Sequence, residues 1–107
     1  ITRTSATTFS LATIGTYQVL FQVSITEAGQ LVLGLDSGAG FVELAYTVVG
    51  RATGTSQIVG IALVTTIVAN SLLAVLNPTG NATALTITPL AGGTSPVSAH
   101  LTITRIT

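Results

Sequence analysis

The stretch IVGIALVTTIVANSLLAVL, residues 58–76, decides how this chain is read. It approaches the ~18–20 apolar residues that a membrane-spanning helix needs. Its residue types argue for strands instead. Ile58, Val59, Ile61, Val64, Thr65, Thr66, Ile67 and Val68 are all β-branched. Such side chains lose rotamer freedom in a helix and suit a pleated strand. Asn70-Ser71 interrupts the run like a turn, and no Lys, Tyr or Trp anchors either end. The reading is one long strand from Gln57 to Val68, or two with a bend near Gly60, then a strand from Leu72 to Leu76.

The same texture extends outward in both directions. Thr7–Leu11 is a short first strand. Ile14-Gly15-Thr16 turns into the clearest strand, YQVLFQVSIT from Tyr17 to Thr26. Side chains alternate along a strand, so Tyr17, Val19, Phe21, Val23 and Ile25 share one packed face. Glu27-Ala28-Gly29 is a turn, and Leu31–Leu35 a strand in which Gly34 marks a close approach. Asp36–Gly40 is a loop and Phe41–Val49 a strand. Gly50–Gly54 is a second loop. Asn77-Pro78-Thr79-Gly80 is a turn with Pro at its second position. Ala84–Thr88 alternates again, Pro89–Pro96 is a Gly-rich loop, and Val97–Ile106 closes the chain. Eight to ten short strands without a helix indicate one all-β domain over residues 1–107, an antiparallel two-sheet sandwich or jelly roll.

Composition bounds the function. Only 6% of the 107 residues are charged, against about 25% in an ordinary soluble domain, while 48% are hydrophobic. There is no Lys; three arginines balance three acids. No basic patch would attract nucleic acid or anionic lipid. Cys is absent, which excludes disulfides and Cys-ligated metals. A monomer this apolar would expose sticky surface. Leu31–Leu35 and Ile58–Val68 are apolar on both faces, whereas an antiparallel sandwich usually wets one. Their outer faces are therefore expected to meet copies of the same chain.

The order of short strand, Thr13-Ile14-Gly15-Thr16-Tyr17 leading into a long strand, Asn-Pro turn, and a closing Ser98–Arg105 strand (SAHLTITR) resembles a known family. It is similar to the C-terminal head domain of bacterial collagen-like proteins, the BclA-type glycoproteins of the spore exosporium. Those heads resemble the C1q and tumour-necrosis-factor jelly roll. The resemblance implies a homotrimeric structural head on the extracellular surface, at the tip of a filament. It would hold three chains in register for a collagen-like stalk. No Gly-X-Y repeat lies in this sequence and its first residue is Ile, so the stalk is expected upstream. The alternative is an adhesin or the receptor-binding tip of a cell-surface or phage tail fibre. A host receptor or surface glycan would then meet the loops 36–40, 50–54 and 91–96.

No residue is assigned a catalytic, cofactor-binding or metal-binding role, and no cofactor is expected. Asp36 sits in a Gly-rich loop, but calcium takes six to eight oxygens, and one Asp falls short. Glu43, inside an apolar strand, is expected to pair with Arg51 or Arg105, because a lone buried charge is costly. His100 shares a face with Ser98 and Thr102. Three copies on a trimer axis would suit a metal, but a hydrogen-bonded interface or edge histidine is the expectation. No Gly-x-Ser-x-Gly elbow is present, and Gly38-Ala39-Gly40 lacks the strand–turn–helix setting of a phosphate loop. Asn81-Ala82-Thr83 matches the glycosylation sequon by chance. Tyr17 and Tyr46 read as core or interface residues.

Overall fold

The computed structural model describes residues 1–52, 57–81 and 83–107. Among the described residues nine strands run in chain order: β1 (Thr2–Arg3), β2 (Phe9–Leu11), β3 (Thr16–Val23), β4 (Gly29–Asp36), β5 (Phe41–Glu43), β6 (Val49–Arg51), β7 (Ile58–Thr65), β8 (Ser71–Leu76) and β9 (Ala99–Arg105). Every pairing between them is antiparallel. One sheet has the order β1-β2-β8-β4-β5, with β6 also on β4; the other has the order β7-β3-β9. No helix among the described residues is long and apolar enough to cross a membrane. The apolar stretch 58–76 is β7, a turn and β8.

The core lies between the sheets. Leu11, Tyr17, Val19, Phe21, Ile25, Leu31, Leu33, Ile58, Val64 and Leu73 form one buried cluster. The period-two reading of β3 holds, with Tyr17, Val19 and Phe21 fully buried and Val23 packed against them. β7 shows no break at Gly60. That glycine lies opposite Phe21, and a Cβ there would stand 2.3 Å from Phe21 Cζ. The missing side chain makes room for the ring.

Four readings are corrected. Phe41–Val49 is not one strand: β5 ends at Glu43 and a single 3-10 turn, Ala45–Thr47, precedes β6. The Thr47 hydroxyl accepts from the Leu33 amide at 2.9 Å and donates to the Leu44 carbonyl at 2.7 Å. A side chain thus supplies a bond that a continuous strand would take from its ladder. Ala84–Thr88 is not a strand either; only a bridge between Ile25 and Ile87 forms. The turn after β8 is closed from Pro78 to Asn81, with Gly80 at φ 95° in its third position. Pro78 is therefore its first residue, as that positive φ requires. Gly50 and Arg51 belong to β6 rather than to a loop, and residues 53–56 of the expected loop lie outside the described residues.

The two strands that are apolar on both faces end differently. In β4 the chain covers itself. Val32 is fully buried although it lies outside the main cluster, and the side chains of Leu76 and Phe41 close over Gly34. In β7 the outward side chains stay open.

Candidate functional site

The outer face of the three-stranded sheet is built in rows. Strand register sets Leu63 beside Gln18 and Thr104, Ile61 beside Leu20 and Thr102, and Val59 beside Gln22 and His100. The apolar residues thus gather on β7 and grade through glutamines to threonines and His100 on β9. Val59, Ile61 and Leu63 are each more than half exposed, Ile61 at 61%. They alternate with the buried Ile58, Gly60 and Val64, so no rotation of the strand could hide both sets.

β7 is also an edge. Thr66 N donates to the Gly15 carbonyl, which fixes alternation along the pair. The backbone groups of Ile58, Gly60, Ala62 and Val64 bond β3, and those of Val59, Ile61, Leu63 and Thr65 point outward. One of these is occupied: the Tyr46 hydroxyl donates to the Leu63 carbonyl at 2.7 Å. Natural sheets blunt such edges with Lys, Pro or bulges; β7 has neither Lys nor Pro. Beyond this edge the wider sheet overhangs. Val42 pairs with Leu35, which packs on the core, yet Val42 is 65% exposed. The three-stranded sheet does not extend over β5. Phe41, Tyr46 and Val48 are exposed on the neighbouring segment.

The charged residues are spread out and serve as braces. Glu43 does not meet an arginine. Its Oε2 accepts from the Thr79 amide at 2.8 Å and hydroxyl at 2.7 Å, and these bonds, the hydroxyl first, hold its carboxyl below the usual range. Glu27 grips Thr86 in the same way, by amide at 2.7 Å and hydroxyl at 2.6 Å. The hydroxyl and then the amide lower its pKa to about 2. Buried Arg51 lays its guanidinium on carbonyls, with Nη1 on Ile25 at 2.6 Å and on Glu27 at 2.9 Å. Glu43 is not fully buried, so the lone buried carboxylate that motivated an ion pair does not arise; the buried cation, Arg51, is met by carbonyl oxygens instead. The Glu–Thr grips carry no signal in a sequence so rich in Thr.

Asp36 accepts from the amides of Gly38 at 2.8 Å and Gly40 at 3.1 Å, shaping the β4–β5 turn. Among the described residues no three His, Asp or Glu side chains come together. His100 is exposed on the outer sheet face beside Gln22. Tyr17 is core, its hydroxyl donating to the Thr13 carbonyl, while Tyr46 is surface. Asn81 sits at the turn after β8 and Ala82 of the sequon lies outside the described residues. Comparison with known proteins finds no matching family model, no matching curated protein and no matching solved structure.

Proposed function

We propose that this chain is a structural assembly module, the trimeric jelly-roll head of a collagen-like surface filament of the spore exosporium type. The observation that carries the reading is the open apolar strip of β7, with Leu20 beside it, on a chain with almost no charge. Strand order supports the jelly-roll part. From β2 to β4, and again from β6 to β9, each successive strand crosses to the opposite sheet, as in a double Greek key.

Geometry favours a ring over a simple pair. Eight-residue strands at ~3.4 Å per residue, three across at ~4.8 Å, give a plane of about 390 Å². A stable interface takes about 800 Å² per partner. The face alone is too small, so a second patch must join it. The β5 overhang with Val42, Tyr46 and Val48 provides one of different shape. Two unlike patches that meet make a head-to-tail contact, which generates a cyclic ring where the rotation closes. Three such heads would set three chain ends side by side for an upstream stalk, on the outer surface of the cell or spore.

Sedimentation velocity on the isolated chain tests this. A trimer is expected, and Ile61→Asp and Leu63→Asp should each yield folded monomer. A wild-type monomer that stays soluble at high concentration would overturn the proposal. Trimers that survive both substitutions would place the contact elsewhere.

A further inference from the structure

The sandwich is left open at the end where β3 and β8 finish and β4 and β9 begin. Val23, Ile25, Leu31, Val75 and Ala99 face a half-open cavity of about 370 Å³, and Ala84, Leu85 and Ile87 partly cover it. Asn77 is the one polar side chain among these lining residues. Protein interiors leave few voids larger than a water molecule. Apolar cavities of ~150 Å³ stay dry and take up benzene, and small-molecule sites begin near ~300 Å³.

The segment above the cavity is held by its polar edge rather than by a sheet. Thr26 N donates to the Thr86 carbonyl at 3.1 Å and Thr88 N to the Ser24 carbonyl at 2.9 Å. Glu27 grips Thr86, and Asn77 Nδ2 donates to the Thr83 carbonyl at 3.1 Å. Residues 84–88 are therefore a strap tied along one side. Its apolar side chains can shift to admit a guest while those ties persist.

We propose that this cavity is a binding site for a small neutral apolar molecule, an aromatic or short alkyl compound with at most one polar group, set toward Asn77. No arginine or carboxylate lines it, so a charged ligand would lose its hydration without gaining a partner. The volume matches roughly fifteen carbon atoms when scaled from the benzene-sized cavity.

Indole is a suitable probe, since the chain has no Trp and indole emission is read without background. Titration of the full chain should give a saturable blue shift with 1:1 stoichiometry. Ala99→Leu and Val75→Phe fill the cavity from opposite sheets, and each should weaken binding at least ten-fold while circular dichroism stays unchanged. Leu63→Asp, on the outer sheet face, should bind as wild type does. Absence of a saturable shift up to millimolar indole would overturn the proposal. So would binding that survives both filling variants, or binding that Leu63→Asp abolishes, which would locate the probe on the outer face. The outcome is independent of the assembly state.

Discussion

Gly60 shows how much one missing side chain can decide. β7 needs no bend there and makes none; the position is glycine because the Phe21 ring occupies the space of a Cβ. Phe21 is fully buried and has little freedom to retreat. Gly60→Ala should therefore destabilise the fold by about 1–3 kcal/mol, read as a lower urea midpoint with an unchanged slope. Glu27 makes a second residue-scale prediction. Its folded pKa of about 2 lies below the ordinary glutamate value of 4.5. A depressed carboxylate contributes stability that is fully present above its unfolded pKa and is lost as pH falls through the folded one. Melting temperature should thus fall between about pH 4.5 and 2, and Glu27→Gln should flatten that slope. Equal slopes in both proteins would show that the grip on Thr86 is not formed in solution. None of this pairing could be read from sequence, because hydroxyls and amides, not arginines, hold the acids, and threonines are everywhere along the chain.

At the scale of the element, legibility followed alternation. Tyr17–Thr26 alternates cleanly between apolar and polar positions, and its inward set was assigned correctly. Phe41–Val49 is apolar almost throughout and gives no phase, so the 3-10 turn inside it was invisible. The deciding group is the Thr47 hydroxyl, which reaches Leu33 fourteen positions upstream. Thr47→Val keeps the shape and strands the Leu33 amide in a buried site. A loss of about 1–3 kcal/mol is expected, with faster hydrogen exchange at Leu33; unchanged exchange would refute the assignment. Ala84–Thr88 misled for the opposite reason. Its alternation is real, and Ile87 does bridge Ile25, but the segment gains only two rungs. Alternation records which side chains want to be inside, not whether a neighbouring strand is there to pair with. Ile58–Val68 is apolar on both faces, so its sequence does not say which residues point outward. Their side became known only with the register, since a one-residue slip exchanges the two faces of a strand.

For the molecule as a whole, the three-stranded sheet has a consequence in time. β3 is its central strand, and its partners are β7 and β9. Val23 meets Ile58 on one side, and Tyr17 meets Arg105 on the other. During synthesis β3 therefore leaves the ribosome early, with its apolar face formed and nothing to lay it against. Its second neighbour, β9, is the last of the described strands to be made. Contacts so distant along the chain fold slowly, on a scale of milliseconds to seconds. A chain stopped short of Ala99 would keep one flank of β3 bare, an invitation to aggregate. Refolding should show a single slow phase that Leu101→Ala retards little if β9 docks last, since late contacts leave the folding rate nearly untouched. Docking of β9 is then the event that seals the three-stranded sheet, and until it happens β3 stays open along one flank.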